Sequence, residues 1–314
     1  MKHMKFLSFF LGVTFSIVAC SSNNEIIPVP DVDPDGDDGT TEVEFAKGAD
    51  IGWVTEYESK GYNFYNAKGE QRECTALMKE LGLNAIRIRV WVDPSKHGNW
   101  CNTADVVEKA KRAKELGMDV MIDFHYSDWW ADPAQQNKPA SWVGKNLANL
   151  KSAIKDHTVS VLQALKTIGV IPKWVQVGNE SRPGMLWDED VALSGASYNV
   201  TEKDLKDAPA SATDKVVYPM NWANLGAFVT TGYDAVKSVF PDAIVIVHLD
   251  NGWDSGLFTW FFDELKKNGG KWDMIGMSLY PYWSRDAKEG YSSADAVITD
   301  CISNIKALST KYNC

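Results

Sequence analysis

The sequence predicts an α/β fold, a (β/α)8 TIM barrel of which about six of the eight β/α units lie within these 314 residues. Three observations carry that expectation. Short apolar strands alternate with longer amphipathic helices, the pattern of parallel strands joined by helical crossovers. No Gly-rich phosphate loop follows any strand, which argues against the competing open, doubly wound, nucleotide-binding sheet. Polar, ionisable and aromatic residues gather at the C-terminal end of nearly every strand, and a barrel would bring those ends to one mouth.

The elements read as follows. A first strand runs near Lys47–Trp53, and a helix near Thr75–Leu81 is closed by Gly82. The second strand is Ala85–Val92, where alternation puts Ile86, Ile88 and Val90 on one face and Arg87, Arg89 and Trp91 on the other. The helix Thr103–Leu116 stops at Gly117, and strand three is Asp119–His125. The helix Leu147–Ile168 closes at Gly169 before strand four, Trp174–Gly178. The polar stretch Ser181–Tyr218 is too long for a plain connection, which marks a functional loop. Helix Trp222–Val239, strand five Ala243–Leu249, helix Ser255–Asn268, strand six Met274–Leu279 and a last helix near Ser293–Lys311 complete the chain.

Composition bounds the function. With 45% hydrophobic and 24% charged residues the chain can bury a sizeable core, which excludes a disordered or collagen-like protein. A net charge of −10 argues against a nucleic-acid partner. Residues 1–46 hold two Lys/Arg against eight Asp/Glu, so most of the acidity belongs to a leader segment. Thirteen Trp supply flat faces suited to cores and to ligand platforms.

That leader reads as an address. Lys2, His3 and Lys5 precede the apolar run Phe6–Ala19, too short to span a bilayer comfortably and typical of a secretory signal. It ends Ile17-Val18-Ala19-Cys20, which resembles a bacterial lipobox, so residues 1–20 are expected to be a lipoprotein signal with lipid attachment at Cys20. Residues 21–45 form an acidic tether. Asp31, Asp33, Asp35, Gly36 and Glu42 match a calcium-loop spacing, but Pro28 and Pro30 stand where its incoming helix should be, so a solvated linker is the expectation. The barrel domain is 46–314. Cys74, Cys101, Cys301 and Cys314 allow three disulfide pairings in an exported protein, and spacing does not choose among them.

The chemistry concentrates at strand ends. Strand four runs straight into Asn179-Glu180. A glutamate there could protonate a leaving sugar oxygen if burial raises its pKa. The other strand ends offer Asp50 and Trp53, Arg89 and Trp91, His125 to Trp130, His248 to Asn251, and Tyr280 to Trp283.

The segments FHYSDWWADPAQQNKPASW (Phe124–Trp142) and GADIGWV (Gly48–Val54), with RIRVWVDP and SLYPYW, resemble family 53 glycoside hydrolases, the endo-β-1,4-galactanases, over about Ala46–Cys314. The resemblance implies a retaining hydrolase of β-1,4-galactan or type I arabinogalactan, as in pectin degradation, with no cofactor. It implies Glu180 as acid/base and Asn179 as holder of a sugar hydroxyl. Arg89 would steady the nucleophile, and His125 and Tyr280 would line the cleaved-sugar site. Trp53, Trp91, Trp129, Trp130 and Trp283 would stack on sugar rings, and Asp50, Asp128, His248 and Asp250 would bind sugar hydroxyls. In that family the nucleophile glutamate ends strand seven. Six strands are legible here, and Lys311–Cys314 looks like the lead-in to a seventh. The expectation is therefore a chain that stops before its nucleophile and hydrolyses negligibly by itself. The alternatives are a non-catalytic galactan-binding lipoprotein or another glycanase of the same clan. The expected partners are the polysaccharide and, through Cys20, a bacterial membrane on its periplasmic or outer side, with the protein a monomer.

Overall fold

The computed structural model describes residues 45–187, 221–282, 284 and 293–314. The expected signal, Cys20, the tether through residue 44, most of the stretch after Ser181 and Trp283 lie outside the described residues.

Six parallel strands form one sheet: β1 (Gly48–Asp50), β4 (Ala85–Val90), β5 (Asp119–Phe124), β6 (Trp174–Val177), β7 (Ile244–Leu249) and β8 (Met274–Met277). They lie side by side in chain order. A doubly wound sheet reverses its strand order at a switch point, and no reversal occurs here, so the strands follow the barrel sequence. Between them run α1 (Val54–Ser59), α2 (Cys74–Glu80), α3 (Thr103–Glu115), α4 (Leu147–Thr167), α5 (Trp222–Val239), α6 (Ser255–Lys267) and α7 (Ala294–Tyr312).

Helix starts are set by side chains that accept from otherwise orphaned N–H groups. Glu73, Asn102, Asn146, Asn221, Asp254 and Ser293 each do so. Gly117 and Gly169 take positive φ just beyond α3 and α4, as the sequence led us to expect. A two-stranded antiparallel hairpin, β2 (Phe64–Tyr65) with β3 (Gln71–Arg72), was not legible, because two-residue strands carry no alternation. It is tied down by Phe64, whose ring lies 5.8 Å from Trp53.

Alternation sorts the strand residues as expected. Ile86, Ile88 and Val90 are buried with Val106, Ala110 and Ala113 of α3 in the core between sheet and helices. Helix α5 comes so close to β6 that a Cβ on Gly232 would lie 2.5 Å from Val177 Cγ1. On the opposite sheet face Ala46, Ala85, Met121, Trp174 and Ile246 form a separate apolar cluster, the floor of the interior. The next inward residues along the strands are charged or polar: Arg87, Asp123, Gln176 and His248. Among the described residues, strands β1 and β8 each pair on one side, and their residues are half-buried where β6 is wholly buried. Among the described residues no disulfide joins Cys74, Cys101, Cys301 or Cys314, although export would permit one.

Candidate active site

Arg87 is the hub of the polar layer. Its guanidinium reaches Asp50 Oδ2 at 2.6 Å, Asp123 Oδ2 at 2.7 Å, Gln176 Oε1 at 3.1 Å and Asn179 Oδ1 at 3.0 Å. Backbone register pairs Arg87 with Met121, yet the side chain meets Asp123 two residues further on, the stagger of tilted strands. Burial works to raise the pKa of Asp123, but the charge of Arg87 and the hydrogen bond from His125 overcome it and hold the carboxyl below its usual range. Asp50 is held low in the same way by Arg87 and Arg89.

Glu180 follows directly on the end of β6. Gly178 turns the chain at φ 79° and Glu180 itself sits at φ 46°, a left-handed backbone that a non-glycine residue adopts at a cost. Neighbours hold it there. Gln136 Nε2 donates to the carbonyls of Asn179 (2.8 Å) and Glu180 (3.2 Å), and Asn179 Nδ2 donates to Ala131 O at 2.7 Å. The Ser278 hydroxyl donates to Glu180 Oε1 at 2.6 Å, and Glu180 N–H points at His248 Nδ1, 3.3 Å away. Burial, reinforced by the negative charge of Asp250, lifts the Glu180 pKa to about 7. The group can thus hold a proton near neutrality and release it, as a general acid/base must. The other described glutamates are engaged at the surface with Lys60, Arg72, Lys111, Arg112 or Lys267.

Several expected site residues are placed differently from the sequence reading. Arg89 stands 3.6 Å from Asp50 Oδ1 and rests on Trp91 and Trp130, 5.1 and 4.1 Å from the ring centroids, while Arg87 takes the central position. His125 is buried. Its Nε2 lies 2.9 Å from Asp123 and its Nδ1 accepts from Ala131 N–H, so both nitrogens are engaged inside the protein. Trp91 is only 2% exposed and cannot itself be a sugar platform. It supports Trp129 (centroids 4.5 Å) and Trp130 (5.7 Å), which are the exposed pair, and His97 stacks on Trp129 at 3.6 Å. Trp53 packs beside Tyr57 and Phe64. Asp128 spends its two oxygens on the backbone N–H groups of Asp93 and Ala140, bracing two loops. Asp250 is paired through both oxygens with Arg182, at 2.9 and 3.0 Å, and its pKa is still raised by burial. His248 is buried, which pushes its pKa down to about 3, helped by Arg87. Tyr280 stands beside Glu180, and burial with that neighbouring charge raises its pKa.

Sequence reasoning missed Arg87, Asp123, Gln176, Arg182 and Ser278. Strand parity was the available signal for the first three. Each lies an even number of residues from an inward-facing neighbour, so a polar residue there belongs to the interior.

The family profile described as glycosyl hydrolase family 53 matches residues 46–313. The chain is 37% identical over 242 residues to an uncharacterized protein of Niallia circulans, covering 77% of this chain and 60% of that one. It is 34% identical over 247 residues to the arabinogalactan endo-β-1,4-galactanase of Thermothelomyces thermophilus, covering 77% of this chain and 65% of the relative. A solved fungal β-1,4-galactanase structure superposes with a TM-score of 0.68 at 31% identity, over 85% of this chain and 70% of the other. The chain therefore spans 60% and 65% of the length of these two sequence relatives.

Proposed function

The chain belongs to glycosyl hydrolase family 53, and from that premise we propose that it serves the retaining, endo-acting hydrolysis of β-1,4-galactan, with Glu180 as acid/base. The observation that carries the reading is Glu180 itself: a buried carboxyl just beyond the end of a barrel strand, its pKa raised to about 7. In the first step Glu180 gives its proton to the glycosidic oxygen as the leaving sugar departs and the anomeric carbon bonds to a second carboxyl, which water displaces in the next step. In the second Glu180 takes a proton from the attacking water. Asn179, positioned by Arg87 and Gln176, lies beside it, and the exposed parts of Trp129 and Trp130, each covered on one side by His97 or Arg89, suit the apolar C–H surface of galactose.

A retaining reaction needs a second carboxyl about 5–5.5 Å from the first, as the nucleophile. No second glutamate accompanies Glu180 among the described residues. We therefore propose that these 314 residues by themselves bind galactan and cleave it negligibly. The same observation favours the second reading, a galactan-binding protein without hydrolysis. Export with lipid attachment at Cys20 is proposed on the sequence of residues 1–20 alone, and labelling with a radioactive fatty acid, lost in Cys20→Ala, tests it.

Calorimetric binding and reducing-end release on galactan, mannan and cellulose oligosaccharides test the functional reading. Binding confined to galactan is expected. A preference for mannan or cellulose would overturn the substrate, and release well above the Glu180→Gln background would overturn the proposal that these residues cleave galactan negligibly.

A further inference from the structure

Ser278 and His248 have no part in the steps just described, yet both are buried against Glu180. Three contacts join them. Glu180 N–H points to His248 Nδ1 at 3.3 Å, His248 Nε2 lies 3.0 Å from Ser278 Oγ, and Ser278 Oγ lies 2.6 Å from Glu180 Oε1. A neutral imidazole has one N–H and one bare nitrogen, so the tautomer decides which way these bonds run. Nδ1 also lies 2.9 Å from Asn179 Oδ1, which would favour a proton on Nδ1. That oxygen is already served by Arg87 and Gln176, each donating at 3.0 Å, which fills its two lone pairs. The Glu180 N–H has His248 Nδ1 as its acceptor, and a buried N–H left without one is costly. Nδ1 is therefore the bare nitrogen and Nε2 carries the hydrogen. Ser278 accepts that hydrogen and turns its own to Oε1.

We propose that Ser278 and the Nε2–H tautomer of His248 are positioning residues that close a ring of three hydrogen bonds on Glu180, making Oε1 a standing acceptor and confining the acid's proton to Oε2. The inference rests on the reading of Glu180 as the acid. Glu180 Oε2 has no hydrogen-bond partner among the described residues. The opposite tautomer would leave Ser278 accepting at Oε1 and would draw the acid's proton onto the wrong oxygen. Charges face Glu180 from several elements: Asp250 beyond β7 with Arg182 against it, Asp132 on the loop after β5, Arg87 on β4, and Tyr280 beyond β8. Those charges set how readily the proton leaves. The ring sets which atom it leaves from.

The test is nuclear magnetic resonance on the full 314-residue chain. Long-range proton–nitrogen spectra of 15N-histidine protein report the His248 tautomer, and 13C-glutamate spectra, assigned with Glu180→Gln, report the Glu180 titration. The expected result is protonated Nε2 and bare Nδ1 from about pH 5 to about pH 9. In Ser278→Ala the Nδ1–H form should appear, and the Glu180 midpoint should rise by about one pH unit, since the carboxylate loses a donor. Ser278→Thr, which keeps the hydroxyl, should restore both. A wild-type chain with Nδ1–H as its major form overturns the proposal without recourse to any variant. So does a folded Ser278→Ala in which neither signal moves. A chain with the Nε2–H tautomer that binds no galactooligosaccharide would instead overturn the functional reading and leave the ring standing.

Discussion

Replacing Arg87 by methionine should be among the most damaging single changes in the interior. The guanidinium lies 2.7 Å from Asp123, which is wholly buried, and 2.6 Å from Asp50. Removing one partner of a buried ion pair strands the other, at a cost of about 3–5 kcal/mol. His125 stays on Asp123 and softens the loss. Arg89 is a control two residues away on the same face. Its nearest carboxylate oxygen is 3.6 Å off and it otherwise lies over two tryptophan rings, so Arg89→Met should cost about 1–2 kcal/mol. The pH dependence has a definite sign. Asp123 and Asp50 have folded pKa values below their unfolded ones, so their contribution is full above the unfolded pKa and is lost as pH falls through the folded one. Without Arg87, burial governs Asp123 and raises its pKa, so the variant's deficit should be largest at neutral pH and shrink on acidification. Urea unfolding followed by tryptophan fluorescence, at about pH 7 and about pH 5, measures both effects. Asp123→Asn in the Arg87→Met background should recover much of the loss, since it removes the stranded charge. The reasoning fails if Arg89→Met costs as much as Arg87→Met, or if Asp123→Asn recovers nothing.

Three further outcomes follow from the same geometry. Asp250→Asn removes the negative charge that helps raise Glu180, so the Glu180 midpoint should fall below about 7, read by 13C titration. Trp129→Ala and Trp130→Ala should each weaken galactooligosaccharide binding roughly tenfold with little loss of stability, whereas buried Trp91→Ala should cost about 3–5 kcal/mol in unfolding. His157, packed among Phe124, Tyr126 and Trp142, has its pKa pushed down to about 4 by burial. Its folded pKa lies below the unfolded 6.5, so stability is full above about pH 6.5 and should fall by about 3 kcal/mol as pH drops toward 4. His157→Leu should flatten that decline, and an unchanged slope would refute the assignment.

The barrel was legible because its long elements obey simple periods. The helix Trp222–Val239 was placed to the residue, and each main strand core fell within the expected span. Glu180 was legible because an apolar strand runs straight into it. The interior layer was only half legible. Parity put Arg87 and Arg89 on one face but could not say that strand stagger brings Arg87, and not Arg89, to Asp123. Nor could it say that His125 bonds back to Asp123 and Ala131, or that Asp128 braces Asp93 and Ala140, since alternation fixes a residue's face and not its side-chain partners. Trp91 and Trp129 look alike as letters. Only packing distinguishes the buried support from the exposed face.

Arg87 bonds residues of β1, β5 and β6 and also the turn that carries Glu180. The position of Glu180 is thereby tied to the sheet as well as to the loop residues Gln136 and Ala131. A tie of that kind separates two histories. The outer loops can lengthen, shorten or change their chemistry while the buried carboxyl of Glu180 stays where it is. Change in the layer around Arg87 has no such freedom, because one substitution there disturbs three strands and the turn that carries Glu180 together. Divergence within such a lineage should therefore collect at the rim and thin out toward the floor.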